Sequence, residues 1–150
     1  MRDRAVSQTL GYVLTLAIST LLVTGLVVAG AGFVDDQRDR VIRQELEVIG
    51  QQVAAGVEQA DRLVAASGSD PGTSVRVTRS IPDRVVGSTY TLEMRAGSPP
   101  SVRLTATAVD ASVDVNLSVG TPVAAGSVAD GGEVAVRWDP TAGDLVIVDV

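Results

Sequence analysis

The residues with chemistry to offer are carboxylates and one asparagine. Asp110 with Asp114, and Asp139 with Asp144, are pairs of the kind that can serve as general acid and base. Asp35, Asp36 and Asp39 stand close enough along the chain to gather a cation, although charges beside an apolar run more often just mark where lipid stops. Asn116-Leu117-Ser118 is an acceptor triplet for N-glycosylation. The rest of the chemical inventory is thin. Histidine and cysteine are absent, which removes imidazole bases, thiol nucleophiles, thiolate zinc sites and disulfide staples together. There is no G-x-S-x-G, no glycine-rich phosphate loop before a helix, and no metal-ligand spacing. Both aspartate pairs fall in segments patterned as solvated strand faces and turns. The expectation is therefore a protein that is not an enzyme, with no catalytic residues, no metal and no cofactor.

Lysine is absent too, so all 12 basic residues are arginine, set against 18 acidic ones for a net charge of −6. Such a surface repels nucleic acid, and no nucleic-acid partner is expected. A lysine-free, acidic composition with one Phe and one Trp is the habit of halophile proteins, whose dense carboxylates stay hydrated in concentrated salt. High-GC codon usage also replaces Lys with Arg, and both explanations stay open.

The elements that must position these residues begin with an uncharged run from Ala5 to Val34, dominated by Leu, Val, Ile, Ala and Gly. As a helix, residues 6–34 would extend roughly 44 Å at about 1.5 Å per residue, enough to cross a hydrocarbon core of about 30 Å. A secretory signal peptide is the rival reading: Arg2 and Arg4 form a positive flank, and Ala29 to Gly32 (AGAG) offers small residues for a peptidase. Its apolar core, however, should be only about 7 to 15 residues long. The flanking charges place the N-terminus in the cytoplasm and residues 35–150 outside the cell, in a single pass of the cell membrane.

Beyond the span, Ile42, Leu46, Ile49, Val53, Val57, Ala60 and Val64 recur at alternating steps of four and three, which is one helical stripe. No proline interrupts the chain before Pro71. One helix, bent near Gly30 and Gly32, is expected to run to about residue 67. There Ser67-Gly68-Ser69-Asp70-Pro71-Gly72 ends it with glycine at the cap and proline just beyond. Alternating segments follow at 74–79, 88–95, 101–108, 111–118, 133–138 and 144–150, separated by Gly-, Pro- and Asp-rich turns. Short connections predict a mostly antiparallel meander. A sheet of this size with few aromatics needs more core, which the helix stripe supplies by packing onto one sheet face. The fold class is thus α+β: a long N-terminal helix, half transmembrane (6–34) and half amphipathic (35–67), packed on a small antiparallel β domain (73–150).

The entrance to the span reads Arg4-Ala5-Val6-Ser7-Gln8-Thr9-Leu10-Gly11-Tyr12. A basic residue, a small one and then a long apolar stretch resembles the class III signal of archaeal type IV pilins and pilin-like proteins. The resemblance implies a leader of residues 1–5, removed by a membrane-embedded prepilin peptidase between Ala5 and Val6. It also implies partnership with other pilin-like subunits through the retained helix, in a pilus or related surface filament. Gln8 stands where many archaeal pilins have proline, and Leu10 where bacterial pilins carry glutamate, which fits a divergent, minor subunit. Independently of the name, Ser7, Gly11, Thr15 and Ser19 recur every four residues, and Gly25 with Ala29 makes a second small pair. Small residues at that spacing let helices approach closely in lipid. The alternative is a stationary single-pass envelope protein whose β domain binds another component.

Overall fold

The computed structural model describes residues 2–68, 72 and 74–150, with side chains from Leu10 onward. One helix, α1 (Arg2–Ser67), is followed by β1 (Arg76–Ser80), β2 (Tyr90–Arg95), β3 (Ser101–Ala106), β4 (Ser112–Asn116), β5 (Val128–Asp130), β6 (Glu133–Asp139) and β7 (Asp144–Asp149). The chain divides into two compact units, Met1–Arg38 and Asp39–Val150.

The first unit is helix alone. It stays helical through Gly25, Gly30 and Gly32, residues that weaken a helix in water. The hydroxyls of Thr15 and Thr20 bond back to the carbonyls of Gly11 and Leu16, at 2.9 and 2.8 Å, so neither asks for an outside partner.

In the second unit the predicted stripe is the core. Ile42, Leu46, Ile49, Val53, Val57, Ala60 and Val64 are all buried, none more than 4% exposed. The helix ends as the sequence indicates, with Gly68 at a φ of 74° that side-chain-bearing residues rarely adopt. Ser69, Asp70 and Pro71 of that expected stop signal lie outside the described residues.

Six of the seven strands fall on the six alternating segments, but they form two sheets rather than one meander. The first has the order β1-β6-β7 and the second β4-β3-β2-β5, with antiparallel pairing throughout. Meander connectivity survives only in β2-β3-β4 and β6-β7. β1 crosses to pair with β6, and the unforeseen β5 pairs with β2. The buried rows are Val77–Val136–Ile147 in the first sheet and Met94–Val102–Val115 in the second. Both rows belong to one apolar cluster with the helix stripe, so the stripe closes the core of two sheets instead of covering a single face. Tyr90 and Trp138, the aromatic residues of this unit, are both buried in it.

Close approach is enforced at two glycines. A Cβ on Gly50 would lie 2.6 Å from Val115 Cγ2 and 3.0 Å from Leu104 Cδ1, so the helix backbone rests directly on the second sheet. A Cβ on Gly131 would lie 2.8 Å from the Tyr90 ring, whose hydroxyl donates to the Pro82 carbonyl.

Candidate functional site

Among the described residues of the first unit, nothing covers the apolar surface. Every side chain described from Leu10 to Arg38 is exposed, including Tyr12, Leu21, Leu22, Leu26 and Phe33. The helix is long and apolar enough to cross a membrane. At roughly 25 cal/mol per Å² of apolar surface, leaving such a cylinder in water is strongly unfavourable, which is compatible with membrane anchoring. Gly11, Thr15 and Ser19 share one side of this helix by their four-residue spacing, and Gly25 and Ala29 form a second pair. Around Gly11, Gly25, Gly30 and Gly32 the space is open, since a Cβ there meets nothing within 4 Å. Arg4, Ala5, Val6 and Ser7 fall within α1, but their side chains lie outside those described.

One aspartate of each pair in the β domain has structural employment, while an Asp144 carboxylate oxygen is buried without a partner among the described residues. Asp114 accepts two hydrogen bonds from the Arg103 guanidinium, at 2.9 and 2.7 Å, across the β3–β4 ladder. That bond holds its carboxyl below the ordinary carboxylate range. Asp110 is exposed on the preceding turn. Asp139 and Asp144 do face each other as register partners at the end of the β6–β7 hairpin. Asp139, though, accepts the backbone N–H groups of Thr141 and Ala142, and these bonds lower its pKa too. A general acid must hold its proton near neutral pH, and neither Asp114 nor Asp139 can. Among the described residues no three His, Asp or Glu side chains gather as metal ligands, around Asp35, Asp36 and Asp39 or elsewhere.

Asn116 lies at the end of β4, an edge strand, opposite Ser101 of β3. Asn116 and Ser118 are both exposed, while Leu117 between them is buried.

Sequence reasoning missed the polar ties that fasten the helix. Asp61, which lies off the apolar stripe, accepts the N–H groups of Gly120 and Thr121. Gln59 accepts from Arg79 at 2.7 Å, and Arg79 lies over Gly56, whose added Cβ would come within 3.2 Å of it. A glycine inside a strong helix costs about 1 kcal/mol relative to alanine, so Gly50 and Gly56 were the available signal.

The outer face of the first sheet also escaped notice. Arg76 and Arg137 are direct cross-strand partners, both exposed, and neither forms an ion pair among the described residues. On the same face Val146 is opposite Arg137, and Val148 is opposite the buried Ala135. Like charges directly opposite one another destabilise a ladder.

No curated protein and no solved structure matches the chain. Residues 1–148 match a family described as Family of unknown function (DUF7266), and with nearly its whole length covered, the chain belongs to that family.

Proposed function

We propose that the protein is a pilin-like, membrane-anchored cell-surface protein, a minor subunit of an archaeal type IV pilus or related filament. The observation that carries this reading is the double use of α1. Its first part exposes apolar side chains all round, while its later part forms the core of a β domain. A subunit of this design keeps its hydrophobic helix after loss of the leader at Ala5, resides in lipid, and later exchanges lipid for neighbouring helices along Ser7, Gly11, Thr15, Ser19, Gly25 and Ala29. Its partners would be membrane lipid, the prepilin peptidase and other pilin-like subunits. The β domain would lie outside the cell.

The test is the N-terminal mass of the protein purified from its native membrane, with and without an active prepilin peptidase. A mature chain starting at Val6 only when the peptidase is active supports the proposal. A start at Met1 or Arg2 in both strains overturns it in favour of a stationary anchor, and a start near Ala31 in favour of ordinary secretion.

A second reading has its own observation. The facing Arg76–Arg137 couple, neither member of which forms an ion pair among the described residues, suits a stationary anchor whose β domain holds an acidic partner, since adjacent guanidinium groups bind carboxylates bidentately.

A further inference from the structure

We infer that Asn116 is an N-glycosylation site, the acceptor for a glycan supplied by a lipid-linked sugar donor. The inference rests on the proposed placement of residues 35–150 outside the cell, because such transfer takes place on that side of the membrane. The triplet Asn116-Leu117-Ser118 alone is common by chance, and the fold supplies what the triplet lacks.

Along a strand, residues two apart point to the same side. Asn116 and Ser118 therefore share the solvent side, whereas Leu117 turns into the core and is only 3% exposed. The Leu117 N–H donates to the Pro100 carbonyl at 2.8 Å, which keeps the segment extended past the end of β4. Neither the Asn116 amide nor the Ser118 hydroxyl is engaged in a side-chain hydrogen bond among the described residues, so both are open to a transferase. The surrounding face suits a carbohydrate. Ser112, Asp114, Ser101, Arg103 and Thr105 line it, and none of them is apolar. β4 is the outermost strand of its sheet, so a glycan on Asn116 would crowd no further strand.

The step balances as a glycosyl transfer. The Asn116 side-chain nitrogen forms a bond to C1 of a sugar carried on a polyprenyl phosphate or diphosphate. The bond from C1 to the phosphate oxygen breaks, the lipid leaves with its phosphate, and the amide gives up one proton. No oxidant or reductant is needed.

The experiment is peptide mass spectrometry of the full-length protein from its native membrane, cleaved after arginine. The peptide from Leu104 to Arg137 carries the triplet. A sugar-sized mass increment on that peptide, placed on Asn116 by fragmentation and lost in both Asn116→Gln and Ser118→Ala, is the expected result. Both positions are exposed, so both variants should be recovered with unchanged thermal midpoints. An increment that persists in Ser118→Ala overturns the inference, because recognition of the triplet requires the hydroxyl. In parallel, protease is added to intact cells. If it sheds the β domain and the peptide is bare, the inference falls while the outward placement stands. A β domain protected in intact cells, with a bare peptide, overturns the placement and the inference together.

Discussion

The Asp61 carboxylate accepts the backbone N–H of Thr121 at 2.8 Å and that of Gly120 at 3.2 Å, tying α1 to the loop after β4 across 60 residues of chain. Burial pushes this carboxyl up, but the Thr121 hydroxyl, the two N–H groups and the Arg62 guanidinium outweigh it and hold the pKa below its ordinary value. A depressed folded pKa adds stability above the unfolded value, about 3.9, and that stability is lost as pH falls through the folded value. Asp61→Asn should therefore cost about 1–2 kcal/mol near neutral pH, a figure at the modest end because the site is half-exposed. The gap from wild type should close in acid. Denaturant unfolding at pH 7 and pH 3 measures both, and an equal gap at the two pH values would show that the charge contributes nothing.

Gly50 is where the helix backbone touches Val115. Alanine would add helix propensity worth about 1 kcal/mol, yet its methyl would sit 2.6 Å from Val115 Cγ2. Overpacking of this kind costs about 1–3 kcal/mol, so Gly50→Ala should be destabilising on balance. Val115→Ala opens the space, and the double variant should be more stable than the sum of the two single losses predicts. Additive losses in a double-mutant cycle would show that the two sites are not coupled.

Val86 occupies the first position of a two-residue turn with φ of 49°, followed by Gly87 at 79°. The turn is closed by reciprocal 2.8 Å bonds between Val85 and Ser88. Two consecutive positive φ angles are what Asn-Gly turns adopt without strain, whereas a β-branched residue there is an outlier. Val86→Asn should raise stability by about 1 kcal/mol. A lower thermal midpoint in this variant would mean that the valine contributes more through its contacts than it loses through its backbone.

Tyr90 supplies the alkaline counterpart of Asp61. Burial, with help from the Asp83 carboxylate, pushes its phenol up to about 12. A raised folded pKa adds stability below the unfolded value, about 10, that is lost as pH rises toward the folded one. Tyr90→Phe strands the Pro82 carbonyl and should cost about 1–2 kcal/mol at pH 8. Its penalty should shrink by pH 11, when wild type carries the burden of keeping the phenol neutral. Unfolding curves at the two pH values decide this, and a constant penalty would contradict the raised pKa.

Much of this architecture is legible in the sequence because it rests on period and on glycine. The 4-3 spacing from Ile42 to Val64 names every core position on its helix except Ala54, and Gly68 marks the helix end. What stays hidden is of a different kind. Val128–Asp130 is too short for alternation to register, and without it the pairing of β1 with β6 has no reason to be preferred over a meander. Asp61 looks like any solvent-facing helix residue, because its partners are backbone groups 59 and 60 residues away. For the candidate sites the division is similar. The small-residue spacing and the glycosylation triplet can be read directly, whereas the inward turn of Leu117 and the meeting of Arg76 with Arg137 depend on strand register.

That arginine pair separates folding from binding. Facing guanidinium groups weaken the β1–β6 ladder, although Arg137 does help keep Asp139 ionised. Arg76→Glu turns the repulsive couple into an attractive one and should stabilise the β domain by about 0.2–1 kcal/mol, more at low salt than at high. If the face serves an acidic partner, the same substitution should abolish capture of that partner while raising the thermal midpoint. A variant that only loses its fold cannot give that combination. A midpoint that falls on Arg76→Glu would instead show that the two arginines are not in conflict, and the argument for a binding face would lose its first premise.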